Sequence, residues 1–74
     1  MSNATYVSAD QNWQDGTTIY WFEMDGETYG IAEGENAGPL DCDGMPIDYN
    51  EQLARRVVES CVVTDEIRKD ASGL

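Results

Sequence analysis

The chain has 74 residues, with 15 acidic and 4 basic side chains and a formal net charge of −11. A chain of this length forms one domain that buries roughly 60% of its unfolded surface, which excludes a Rossmann unit, a barrel or a two-lobed enzyme. Histidine is absent, so the usual general base and the usual metal ligand are missing, and the acidity disfavours direct binding to nucleic acid or anionic membranes. Composition therefore predicts a folded, non-enzymatic protein without cofactor or metal.

The first predicted elements are strands. Residues 4–9 (ATYVSA) favour a first strand, and residues 17–32 favour a β-hairpin in which two β-prone runs flank Asp25-Gly26, the composition of a two-residue type I′ turn. With that turn at the tip, Trp21 faces Gly30, and an aromatic ring covers the gap that a cross-strand glycine leaves. Alternation places one set of apolar side chains on a common face: Tyr20, Phe22, Met24, Tyr29 and Ile31.

The next segment, residues 33–47, contains three glycines and two prolines and predicts an ordered loop. Within it, residues 41–44 (DCDG) resemble part of an EF-hand loop. The ligand positions at the two ends of such a loop would be Pro39 and Asn50, so we predict a glycine turn flanked by acids and no calcium site. Cys42 lies between two carboxylates, which disfavour the reactive thiolate, so we predict no catalytic cysteine.

A helix is predicted over residues 49–62. Asp48 is the expected N-cap, with Glu51 reaching back in a capping box. Apolar residues follow at helical spacing and predict one buried stripe: Leu53, Ala54, Val57, Val58, Cys61 and Val62. Arg55 and Arg56 are expected to pair with acids one helical turn away.

The C-terminal segment is less regular. Residues 61–64 fit either the end of the helix or a short strand, because Val62 and Val63 are β-branched. Residues 64–74 are predicted as a C-terminal turn or tail, in which Thr64 begins a short helical turn. The predicted fold is α+β: a single domain with an antiparallel β-meander of two or three strands packed against one amphipathic α-helix.

Two features of the sequence predict a cytoplasmic location. Cys42 and Cys61 are the only cysteines, whereas a small secreted domain usually carries about four to eight, so both are expected to be free thiols. Residues 1–10 lack the basic and apolar regions of a signal peptide, and no apolar run approaches the roughly 18 residues of a membrane span.

The acidic residues are distributed unevenly. Residues 1–54 contain eleven acids and no Lys or Arg, whereas residues 55–74 contain four of each sign. Carboxylates two residues apart on a strand are separated by about 6.6–6.8 Å, comparable to consecutive phosphates of a nucleic acid. A basic channel would attract such a surface for the reason that it attracts nucleic acid. The candidate partner-binding acids are Glu23, Asp25, Glu27, Glu33, Glu35, Asp41 and Asp43.

Trp21 is the candidate apolar anchor of this surface, because tryptophan is enriched at the centres of interfaces. The alternative is that Trp21 is covered by the loop 33–47 or by Trp13. The sequence alone leaves both interpretations open.

The combination of short length, missing histidine, the hairpin TTIYWFEMDGETYGIA and one capped helix resembles small inhibitors of host defence encoded by phages and mobile elements, such as anti-CRISPR proteins and DNA mimics. This resemblance implies a basic DNA- or RNA-binding partner, for example a CRISPR effector, in the cytoplasm of the host cell. The inhibitor would bind the Lys and Arg that read the PAM duplex or hold the guide–target hybrid.

Two other functions fit the composition. One is a small regulatory or structural interaction module, homodimeric through the face that carries Ile19 and Trp21. The other is a halophilic protein whose acidity maintains its solubility.

Overall fold

In the computed structural model, which describes residues 4–12, 16–34 and 37–72, the chain forms a four-stranded antiparallel sheet and two helices. The strands are β1 (Thr5–Asn12), β2 (Thr17–Met24), β3 (Glu27–Glu33) and β4 (Gly38–Leu40), in the sheet order β1-β2-β3-β4. The helices are α1 (Glu51–Ser60) and α2 (Asp65–Ala71). Over the described residues the α+β class is confirmed, but the sheet has four strands rather than two or three, and there are two helices rather than one.

The hairpin of β2 and β3 has the predicted register, with Trp21 opposite Gly30 and Phe22 opposite Tyr29. Asp25 and Gly26 form the turn with φ of 54° and 78°. Positive φ at both central residues is the requirement of a type I′ turn, whose twist matches that of the strands. Local sequence therefore determines this element.

Strand β1 is longer than the predicted 4–9 and contains a bulge. The register shifts between Tyr6, opposite Phe22, and Ser8, opposite Trp21, so Val7 is the additional residue, and it is exposed. The bulge changes the alternation and brings both Tyr6 and Ala9 to the face of β2 that carries Phe22. The rings of Tyr6 and Phe22 meet edge to face, with centroids 5.8 Å apart.

Part of the predicted loop 33–47 is strand β4, which pairs Leu40 with Gly30. The chain then turns back, and the amide of Ile47 donates to the carbonyl of Pro39 at 3.1 Å. Proline lacks the amide that an interior strand needs, but it fits a short strand near the edge of a sheet. Because glycine and proline are typical of loops, the sequence does not indicate this strand.

Helix α1 begins two residues later than predicted. Asn50, not Asp48, is the N-cap, and its side chain accepts from the amide of Leu53 at 3.1 Å. The predicted capping box is therefore wrong, because the Asp48 amide instead donates to the carbonyl of Pro46 in the preceding turn. The helix ends at Ser60.

Residues 61–64 form neither a continuation of α1 nor a strand, and they connect α1 to α2. Within the predicted turn or tail, residues 64–74, the part that the structure describes forms helix α2. The Thr64 hydroxyl accepts from the amide of Ile67 at 3.2 Å and caps its first turn, and Ala71 at its end is buried.

The core lies between one face of the sheet and both helices. Phe22 and Met24 of β2 and Val57 of α1 are its largest fully buried side chains. Further members come from β1, β2, α2 and the connecting segments: Ala9, Tyr20, Ile47, Cys61 and Ala71. The second helix therefore completes the apolar face that the sequence assigned to one helix.

Candidate interaction surface

The strand registers divide the predicted acidic residues between two ends of the sheet. Glu23, Asp25 and Glu27 lie at the β2–β3 turn, which we call the hairpin end. Strand β4 runs toward the same end and stops opposite Gly30, so the loop that follows it, with Asp41 and Asp43, begins at the middle of β3, about 10 Å along the strand from Glu27. We include this loop in the hairpin end. Glu33 lies at the other end of β3, roughly 20 Å from Glu27 at the rise of a strand. Glu35 lies outside the described residues.

Glu33 joins the sheet to helix α2. Its carboxylate accepts from Nη2 of Arg68 at 2.8 Å and from Nε at 3.2 Å. The Arg68 hydrogen bonds lower the pKa of Glu33, against the effect of partial burial, and the Tyr20 hydroxyl lowers it further. The same carboxylate raises the pKa of Arg68. Glu33 is therefore half-buried and engaged within the molecule, and its predicted role in partner binding stays a prediction.

Asp25 at the hairpin tip forms an ion pair with Arg56 of α1. This pairing differs from the predicted pairing of Arg56 along its own helix, because Arg56 reaches a carboxylate 31 positions earlier in the chain. Arg55 does pair as predicted, with Glu51 one turn earlier at 3.7 Å. The two arginines thus have different roles, one within the helix and one between helix and sheet.

Asp41 organises the loop after β4. Its Oδ1 atom accepts from the amides of Asp43 at 2.9 Å and Met45 at 3.0 Å, and its own amide donates to the carbonyl of Met45 at 2.9 Å. Gly44 has φ of 79°, which glycine adopts without strain. The predicted glycine turn is present, and Asp41 holds it together through these hydrogen bonds. Within residues 4–12, 16–34 and 37–72 no group of three or more His, Cys, Asp or Glu side chains is placed to hold a metal ion.

Glu23, Glu27 and Asp43 remain as exposed acids of the hairpin end. Glu23 is opposite Thr5 and Thr28, whereas Glu27 is opposite Met24. Among the described residues they have no ion-pair partner. These three are the exposed members of the predicted set without an ion pair among the described residues, and strand alternation places Glu23 and Glu27 on opposite faces of the sheet.

Trp21 is half-buried on the sheet face opposite the helices. Its indole Nε1 donates to Oδ2 of Asp10 at 2.9 Å. Its ring lies over Gly30, where an added Cβ would be 2.9 Å from the Cζ3 atom of Trp21. These contacts give Trp21 a structural role within the sheet, and the suggested cover by Trp13 lies outside the described residues.

Sequence reasoning missed two exposed side chains at the hairpin end. Met45 and Tyr49 are 60% and 66% exposed, in and just after the loop that Asp41 organises. The signal was an apolar and an aromatic residue within a segment rich in glycine, proline and acids. The predicted stripe of α1 also divides, since Val57 is buried whereas Val58 and Val62 are exposed.

The cysteines are both free, as predicted. Cys42 is exposed, whereas Cys61 lies in the core, where burial raises the pKa of its thiol to about 11. Neither helix of the described chain has the length and apolarity that crossing a membrane requires.

Comparisons of the chain with protein-family models, with curated proteins and with solved structures found no match. The proposed function therefore rests on the surface itself.

Proposed function

We propose that this protein is a non-enzymatic acidic inhibitor whose hairpin end binds the positively charged nucleic-acid-binding surface of another protein. By occupying that surface it excludes DNA or RNA. The protein does not itself bind nucleic acid or membrane. The partner class is a basic complex of host defence, such as a CRISPR effector, in the cytoplasm of the host cell if the chain is phage-encoded.

One observation carries the proposal: among the described residues, one of the four basic side chains, Arg56, pairs at the hairpin end, and Glu23, Glu27 and Asp43 have no ion-pair partner. Three of the four basic residues, Arg55, Arg56 and Arg68, form ion pairs, two of which attach a helix to the sheet. The exposed acids at the hairpin end therefore keep most of their negative charge. Uncompensated charge opposes folding by self-repulsion and favours a partner of the opposite sign.

The positions of the acids restrict the proposed surface to fewer residues than the sequence indicated. The acids form two groups rather than one continuous row, because Glu33 lies at the far end of β3 and is paired with Arg68. The inhibitory surface is therefore the hairpin end, with Glu23, Glu27 and Asp43 as its exposed carboxylates and Asp25 partly neutralised by Arg56.

The experiment uses the immobilised chain and nuclease-treated bacterial lysate. We expect it to retain nucleic-acid-binding proteins that elute as salt rises from about 0.1 M to about 0.5 M, and that a short DNA duplex displaces. Each captured protein is then purified and its affinity for the chain is measured. Binding that persists at about 0.5 M salt with DNA bound alongside contradicts the proposal.

Two matched double variants separate the hairpin end from net charge. Glu23→Gln/Glu27→Gln removes two exposed carboxylates at the hairpin end, and Glu59→Gln/Glu66→Gln removes two from the helices. We expect the first to weaken partner binding on the order of tenfold and to reduce its salt dependence, and the second to change it much less. Equal effects would contradict a localised surface.

A second candidate is an interaction module, homodimeric through the sheet face with Ile19 and Trp21. The supporting observation is that both side chains are only half-buried, on the face opposite the helices. In that case Trp21→Ala abolishes association, measured by sedimentation equilibrium, whereas Glu23→Gln/Glu27→Gln leaves it unchanged.

A further inference from the structure

The loop at the hairpin end exposes large apolar side chains beside its acids. Met45 and Tyr49 are among the most exposed large apolar side chains of the described residues. Two hydrogen bonds to Asp41 hold the backbone of Met45. The Met45 amide donates to the Asp41 carboxylate, and the Met45 carbonyl accepts from the Asp41 amide. The Tyr49 hydroxyl lies 3.4 Å from Oδ2 of the same carboxylate. Such preorganisation reduces the entropy lost on binding.

The charges around this contact select its occupant. Asp43 and Asp48 are exposed within and just after the loop, and Glu27 is exposed at the start of β3. An apolar patch among carboxylates favours a side chain that combines positive charge with a flat, weakly hydrated surface. Arginine has these properties, because its guanidinium stacks on an aromatic ring while it donates to a carboxylate, whereas the lysine ammonium is compact and strongly hydrated.

The residue types of Met45 and Tyr49, and the arginine expected to bind them, are typical of protein interfaces. Tyrosine, methionine and arginine are enriched in protein interfaces, and valine is under-represented at their energetic centres. Two other exposed apolar side chains, Val58 of helix α1 and Val62 just after its end, line a groove with Glu33, at the end of β3 away from the hairpin end. They therefore provide a matched control rather than a competing site.

Resting on the proposed function, we propose that Met45 and Tyr49 form an arginine-recognition site within the acidic surface, and that Asp41 is its positioning residue. The partner is then a basic protein surface that presents arginine rather than lysine. Asp41 acts through the loop and not through its charge.

The test compares deca-arginine and deca-lysine peptides as probes, with binding measured by fluorescence anisotropy at equal ionic strength. We expect the protein to bind the arginine peptide about two- to fivefold more tightly than the lysine peptide. Met45→Ala/Tyr49→Ala should lose this preference and keep its affinity for the lysine peptide. Val58→Ala/Val62→Ala should keep the preference.

Asp41 is tested by a conservative pair of variants. Asp41→Asn keeps an acceptor oxygen for the amides of Asp43 and Met45 and should keep the arginine preference, whereas Asp41→Ala should lose it. Circular dichroism establishes that each variant is folded. Loss of the preference in Asp41→Asn, with the fold intact, overturns the positioning role.

The failure of this inference is distinguishable from that of the proposed function. If Met45→Ala/Tyr49→Ala keeps the arginine preference while Glu23→Gln/Glu27→Gln weakens both peptides, the arginine site is overturned and the acidic surface stands. If Glu23→Gln/Glu27→Gln and Glu59→Gln/Glu66→Gln weaken both peptides equally, binding follows net charge and the proposed function fails.

Discussion

Gly30 shows how a single residue determines local packing. An added Cβ would lie 2.9 Å from Trp21 and 3.0 Å from Ile19, closer than side chains tolerate. We expect Gly30→Ala to lower the free energy of unfolding by about 1–3 kcal/mol, the usual effect of overpacking. Chemical denaturation measures this loss. In a Trp21→Ala background the same substitution should have a smaller effect, and an unchanged effect would show that the ring is not the obstacle.

The Glu33–Arg68 pair makes stability depend on pH. Because the pKa of Glu33 is lowered in the folded state, its contribution is present above the ordinary value of about 4.3 and is lost as pH falls below it. The two side chains are 36% and 46% exposed, so screening limits the contribution to about 1 kcal/mol.

Arg68→Gln should therefore be less stable than the natural chain at pH 7, and the difference should disappear as pH falls through the lowered pKa of Glu33. Urea unfolding across this pH range measures it. Arg55→Gln is the control, since its pair with Glu51 is 3.7 Å long and highly exposed, and it should change stability by less than about 0.5 kcal/mol. A pH-independent difference for Arg68→Gln would contradict the assignment.

At the scale of the element, the start of α1 distinguishes two caps. Asn50 accepts from the Leu53 amide, so Asn50→Ala should lower the free energy of unfolding by about 1 kcal/mol, whereas Asp48→Ala should have little effect. Thermal unfolding followed by circular dichroism measures both. A larger loss from Asp48→Ala would restore the capping box.

The sequence predicts an element well when the contacts that determine the element are close in sequence. The β2–β3 hairpin was predictable to the residue because the Asp25-Gly26 turn fixes the register between adjacent runs. Strand β4 was not, because its pairing is set by β3 whereas its own Gly38 and Pro39 indicate a loop. The start of α1 required the fold of the preceding turn, which directs the Asp48 amide to Pro46.

The candidate site has the same limit. The excess of acids was visible in composition, but their availability depends on pairings between distant residues. Glu33 and Arg68 are separated by 35 positions, and Asp25 and Arg56 by 31. No local pattern indicates which carboxylates these arginines engage. The exposure of Met45 and Tyr49 likewise depends on how the loop closes around Asp41.

At the scale of the whole molecule, size and charge together determine the response to salt. The molecule measures 30 × 23 × 17 Å and has a net charge of −11. Electrostatic interactions extend about 30 Å at 0.01 M salt, so every charge acts on every other, but only about 10 Å at 0.1 M. Raising salt therefore screens the repulsion and should stabilise the fold while it weakens binding to a basic partner.

Folding at low salt distinguishes the proposed inhibitor from the halophilic alternative. The core of Phe22, Met24 and Val57 is apolar, and the ion pairs of Arg56 and Arg68 strengthen as screening decreases, so we expect the chain to remain folded at about 0.01 M salt. The melting temperature should rise by about 4–8 °C for each kcal/mol of repulsion that added salt removes. Circular dichroism during heating at several salt concentrations measures both effects. Loss of strand and helix signal at about 0.01 M salt and 25 °C would favour acidity as an adaptation to high salt, because such a protein needs dense counter-ions to fold at all.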